Sequence, residues 1–257
     1  MCQYYKTHLF ASFPNIFYLM LPPVFRASCK GDEEQLRRLI ERGADVNARL
    51  QDGLTPLMAA SLRGKTTVVE QLIKHGADVN TYNKNGWTPL AFALDRSATS
   101  AMMTRLKYKF RSMSSDQAVF MRYSYLTPTF NNTIAKMLIS NGANVSHTYA
   151  RDMTPLMCAT LSGNDEMVEL LLAKGVNVND KDSDGYSPLM IAAMKGYSTI
   201  VKSLIEHGAD VNDTNNYGIA VLTMASGKND SSTMQLLRDK EATGPISCCS
   251  LRNKKVK

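Results

Sequence analysis

Apolar residues fall into a stripe with helical spacing three times along this chain: Val68, Val69, Leu72 and Ile73, then Val168, Leu171 and Leu172, then Ile200, Val201, Leu204 and Ile205. The i, i+3, i+4 spacing puts each set on one face of a helix. Thr or Ser followed by Pro-Leu recurs upstream, as Thr55-Pro56-Leu57, Thr88-Pro89-Leu90, Thr154-Pro155-Leu156 and Ser187-Pro188-Leu189. A hydroxyl accepts from the free N–H groups of a helix start, and proline fits the first turn, where its missing donor costs nothing. These strings predict first helices over 55–62, 88–96, 154–161 and 187–194. Gly31, Gly64, Gly163 and Gly196 stand where a left-handed residue would end such a helix. The striped second helix follows at once, and small pairs such as Ala59-Ala60 and Ala192-Ala193 let the two approach closely.

The pattern has a fixed phase. The four prolines are 33, 66 and 33 residues apart, and twenty residues after Pro56 comes Gly76 in Gly-Ala-Asp-Val-Asn. The same offset links Pro188 to Gly208. One period earlier stand Pro23 and Gly43-Ala44-Asp45-Val46-Asn47, and one period later Tyr217-Gly218 and Val221-Leu222. Six phased units result, each ending in a turn that leads through an extended hairpin to the next.

These strings resemble the ankyrin repeat, over about residues 19–245 with one interruption. The resemblance implies an all-α solenoid of helix-turn-helix units joined by β-hairpin loops, flanked by an extension over 1–18 and a basic tail over 246–257. It also implies a protein-binding adaptor or scaffold, monomeric as a domain, whose hairpin tips and first helices line a concave face that holds a protein ligand. Two departures stand out. Met58, Ala91, Met157 and Met190 occupy a place where the family often has His, which puts some bonding between repeats in doubt. The last unit has lost its Pro and its Gly-Ala, as suits a terminal cap.

From Pro89 to Gly142 the chain runs 53 residues where complete units have 20, so 33 extra residues lie between about Ala98 and Phe130. The excess equals one period, so a decayed repeat competes with an insertion. In-phase Arg105 would enter the core and Pro128 would sit inside a helix, which favours an insertion. Met102, Met103, Leu106, Phe110 and Met113 have helical spacing there, interleaved with Arg105, Lys107, Lys109 and Arg111, and this basic segment is either a docking element or a loop that packs on its neighbours.

Candidate binding residues follow from the phase. Just before each Thr-Pro position lie Leu54, Trp87, Met153, Tyr186 and Ile219, large apolar side chains at places expected to face solvent unless a partner or the adjacent tip covers them. Lys30, Arg63 and Lys195 precede the first-helix glycines, Arg96 and Lys228 are in register, and Ser162 is the exception. Stacked, they would form either a solvated face or a basic stripe for an acidic segment of a partner. Asn47, Asn80 and Asn212 each close a Leu-(six residues)-Val-Asn string with Asp before the Val, which resembles the ankyrin hairpin sequence that asparaginyl hydroxylases modify. Asn also suits the turn by bonding its local backbone. Asn179 lacks the Asp, and Ser146 lacks the amide.

Charge changes the picture only locally. The insertion and Leu251–Lys257 each carry +4 of the chain's +7, so the rest sums to −1. The repeats themselves are therefore not a nucleic-acid surface. An alternative function remains, a membrane-surface or nucleic-acid adaptor acting through the basic insertion and tail. Cys2, Cys29, Cys158, Cys248 and Cys249 lack metal-ligand spacing and disulfide density, which suggests a reducing compartment, cytoplasmic or nuclear, with Cys29 and Cys158 as small buried residues. The histidines at 8, 75, 147 and 207 are scattered, so neither metal nor cofactor is expected. Leu9–Phe25 follows Lys6 and looks like a secretory signal, but Pro14, Asn15, Pro22 and Pro23 break it. The terminal Lys254-Lys255-Val256-Lys257 passes for a retrieval signal that would need a membrane span. No Gly-rich phosphate loop, nucleophile elbow, Cys/His pair or kinase signature is present, so no enzyme and no small-molecule substrate is expected.

Overall fold

The hydroxyl caps form as the sequence predicts. Met58 N donates to Thr55 Oγ1 at 3.3 Å, Ala91 N to Thr88 Oγ1 at 3.2 Å, Met157 N to Thr154 Oγ1 at 3.3 Å and Met190 N to Ser187 Oγ at 3.4 Å. In this computed structural model the described residues are 21–94, 131–226, 231–240 and 242. They form twelve α-helices and no strand. The chain divides into two compact units, Met1–Ala143 and Asn144–Lys257.

The first unit holds α1 (Pro23–Lys30), α2 (Glu33–Glu41), α3 (Pro56–Leu62), α4 (Thr66–Lys74), α5 (Pro89–Leu94) and α6 (Asn132–Ser140). Within a repeat α1 pairs with α2, α3 with α4 and α5 with α6; between repeats the first helices α1, α3 and α5 stack in order, as do α2, α4 and α6. The α5–α6 pair closes one repeat across residues 95–130, which contain the whole 98–130 segment and lie outside the described residues. The second unit repeats the plan with α7 (Pro155–Ser162), α8 (Asp165–Ala173), α9 (Pro188–Lys195), α10 (Ser198–Glu206), α11 (Val221–Ser226) and α12 (Ser231–Asp239).

Sandwiched between neighbours, first helices bury nearly every residue: Leu57, Met58, Ala59 and Ala60 are at most 1% exposed. Second helices bury one stripe, Val68, Val69 and Leu72 in α4 and Ile200, Val201 and Leu204 in α10. Each such side chain contributes about 1.5–3 kcal/mol by leaving water. Ile73 and Ile205, expected in the stripe, are only half-buried. At 100° per residue each sits about 90° from the centre of its stripe, so it meets the rim of the core. Gly31, Gly163 and Gly196 end α1, α7 and α9 in the left-handed conformation, and Gly64 carries φ 66° just after α3. Cys29 and Cys158 are buried free thiols. On the outer side hydroxyls staple successive second helices: Thr67 Oγ1 donates to Glu33 Oε1 at 2.5 Å and Thr199 Oγ1 to Asp165 Oδ1 at 2.8 Å.

Candidate interaction surface

After each second helix the chain makes an Asx turn. Asn47 N donates to Asp45 Oδ1, Asn80 N to Asp78 Oδ1, Asn179 N to Asn177 Oδ1 and Asn212 N to Asp210 Oδ1, at 2.8–3.1 Å. The turn frees the asparagine side chain to reach forward. Asn47 Nδ2 donates to Gly76 O at 3.0 Å while its Oδ1 accepts from Asp78 N at 2.9 Å. Asn179 makes the same pair with Gly208 O and Asp210 N, at 3.1 and 2.9 Å. Asn80 Nδ2 reaches Gly142 O at 3.0 Å, 62 residues ahead where the others reach 29, so the clamp keeps register across the long third repeat. These contacts place the candidate hydroxylation residues Asn47 and Asn80 in hairpin clamps; Asn179, which lacks the Asp, is clamped alike, so the clamp geometry does not depend on that Asp.

Beyond the clamp, a backbone bond spans each of five hairpins: Leu50 N to Leu54 O, Asn83 N to Trp87 O, Tyr149 N to Met153 O, Asp182 N to Tyr186 O and Asn215 N to Ile219 O. Asn83, Asp182 and Asn215 each turn Oδ1 inward to accept two tip N–H groups. Successive tips join through Lys84 N to Asp52 O at 2.8 Å in the first unit, and through Ser183 N to Arg151 O at 2.9 Å and Asn216 N to Asp184 O at 3.2 Å in the second. Where four tips use Gly53, Gly86, Gly185 and Gly218 at positive φ, one uses Asp152, at φ 58°. An L side chain there costs about 1 kcal/mol, which glycine avoids. Asp152→Gly is therefore expected to stabilise the chain by about 0.5–1 kcal/mol, read as a raised thermal midpoint.

The tip residues do not share one environment. For Leu54 the adjacent repeat supplies the cover: it is 1% exposed, in a cluster with Phe25, Cys29, Met58 and Phe92. Trp87 packs on the same cluster and meets the Phe92 ring at 5.6 Å between centroids. Trp87, Met153 and Tyr186 are half-buried. Ile219, on the last hairpin, is 37% exposed.

Of the basic positions, Lys30 pairs with Asp32 at 3.3 Å, while Arg63 and Lys195 have no carboxylate in ion-pair reach among the described residues. Arg96 and Lys228 lie outside those residues, as do the insertion and the basic tail. Lys65, which the sequence reading passed over, joins Arg63: it precedes α4 without a side-chain cap, and its stem lies over Gly31, where an added Cβ would come within 2.8 Å of Lys65 Cδ. Burial drives the Cys29 thiol up to about 11 even though Arg63 and Lys65 lie close enough to favour the thiolate. The first unit thus gathers, at one inter-helix turn, two cations with no carboxylate in ion-pair reach among the described residues.

Three exposed apolar residues were also missed: Tyr82 at 56%, Met194 at 37% and Tyr217 at 69%. For Tyr217 a signal existed, because the equivalent tip position holds Asp52, Asn85, Arg151 or Asp184 elsewhere. No described helix is long and apolar enough to cross a membrane.

The family model for ankyrin repeats (3 copies) matches residues 24–104 and 125–215. The chain belongs to the ankyrin-repeat family. Repeats of this family make the chain a protein–protein interaction module. Among solved structures it is similar to a chain from the complex of a predatory endopeptidase of Bdellovibrio bacteriovorus with an immunity protein, at 26% identity and TM-score 0.65, covering 86% of this chain and 98% of that one. An ankyrin repeat domain from Acinetobacter baumannii AYE is similar in fold, at 24% identity, TM-score 0.66 and the same coverage. No curated protein matches the chain.

Proposed function

We propose that this ankyrin-repeat protein holds an acidic segment of a partner protein against its hairpin tips and first-helix ends. The observation that carries this reading is the pair Arg63 and Lys65, two cations without a carboxylate in reach among the described residues, at the start of α4, whose first turn contains no acidic residue. The positive end of that helix adds to their field. In the second unit Lys195 ends α9, also without an ion pair among the described residues. That a chain of similar fold was solved within a protein–protein complex also supports a partner-holding role. The buried free thiols Cys29 and Cys158 fit work in a reducing compartment, the cytoplasm or nucleus.

The test uses the partner recovered by affinity purification from the source cell. Reversing Arg63 and Lys65 to Glu is expected to slow association about tenfold at low salt and to flatten its salt dependence, because surface charge acts mainly on the encounter rate. Unchanged association at low salt would remove the acidic-segment reading.

A further inference from the structure

One row of apolar positions is half-buried in the first unit and more exposed at the end of the second. Leu62 and Trp87 pack on the buried cluster around Leu54 and Phe92. Four periods on, the same places are held by Met194 and Ile219, both 37% exposed, and the place of Phe92 by half-buried Met224. Tyr217, beside Ile219 on the last hairpin, is 69% exposed. Three of the four exposed large apolar residues among those described thus belong to the end of the second unit.

The end of the ladder also leaves a backbone acceptor. Asp52 O, Arg151 O and Asp184 O each accept from the next hairpin, whereas Tyr217 O, their equivalent, accepts no hydrogen bond among the described residues. The sequence beyond residue 242 does not repeat the hairpin pattern. Read in phase, it offers Cys248, Leu251, Asn253 and Lys254 where complete repeats place Asn or Asp, Gly, Thr or Ser, and Pro.

Charge decides what fits. Asp184 is paired with Arg151 and Asp213 with Lys181, while Lys195, next to Met194, has no carboxylate in ion-pair reach among the described residues. We infer that Met194, Tyr217 and Ile219, with Lys195 at their edge, receive an extended partner segment that places a large apolar side chain on the row and an acidic one at Lys195, its backbone N–H donating to Tyr217 O. This deepens the acidic-segment reading and rests on it. An exposed apolar group that loses water on docking supplies affinity, and the cation selects the flanking acid.

The experiment selects a random peptide library on the full chain and measures the enriched peptides by fluorescence anisotropy. The expected winners carry an aromatic or branched aliphatic residue near Asp or Glu, and they bind about tenfold or more weakly to Tyr217→Ser, Met194→Ser and Lys195→Glu. Tyr217 is the most exposed of the three, so its variant remains informative if Met194→Ser lowers the melting temperature. Acidic peptides that bind these variants normally but are lost with Arg63→Glu would overturn this inference and leave the acidic-segment reading standing. Winners without acidic residues would sink both. Two further results would also overturn it: slowed hydrogen exchange over residues 243–257 that Tyr217→Ser abolishes, which makes the tail the occupant, or a dimer that Tyr217→Ser dissociates, which makes it a second copy.

Discussion

Gly185→Ala is expected to cost about 3 kcal/mol or more of unfolding free energy, and Gly218→Ala only about 1–2 kcal/mol. Both glycines hold the same place in their tips and the same left-handed backbone, φ 83° and 71°. An alanine at either position pays the left-handed penalty of about 1–2 kcal/mol. Space separates them. A Cβ on Gly185 would lie 2.5 Å from Asn216 Oδ1 and 2.6 Å from Asn216 N, while one on Gly218 would meet nothing within 4 Å. The backbone at Asn216 cannot give way without losing its bond to Asp184 O and the Asn216 Nδ2 bond to Ser183 O, about 1 kcal/mol each. Urea unfolding of the two variants compares them directly. Equal losses would show that tip stacking adds nothing to backbone strain.

Asn179→Ala should destabilise the second unit by about 2 kcal/mol, and Asn47→Ala the first by a similar amount. Each removes a donor and an acceptor at once, leaving the carbonyl of the next glycine and the amide of the next Asp to water. Asn179→Asp separates the two halves: it keeps the acceptor for Asp210 N and loses the donor to Gly208 O. The Asp210 amide should then exchange faster in the Ala variant than in the Asp variant. Equal exchange in both would mean that the clamp is not what holds that hairpin.

The helices were legible because their signals are local. A Thr-Pro cap and an i, i+4 stripe are complete within one repeat, so Thr55, Pro56 and Leu72 announce themselves and do what they announce. The surface was not, because exposure depends on the next repeat. Leu54 and Ile219 read alike in sequence, yet Leu54 is covered by the repeat bearing Trp87 and Phe92, and Ile219 has no such repeat above it among the described residues. The asparagines show the same limit in the other direction. Their turn role was visible from neighbouring residues, but the bond to a glycine carbonyl 29 or 62 residues ahead required the hairpins to be stacked. Lys65 escaped notice because only its contact over Gly31 shows that it stands with Arg63.

The third repeat carries one more consequence. Its two helices, α5 and α6, pack on each other, and the Asn80 bond to Gly142 spans the same stretch of chain. Besides the covalent link, α6 is held by packing against α4 as well as α5. A single cut in that stretch is therefore expected to leave two polypeptides that elute as one particle in native conditions and separate in denaturant.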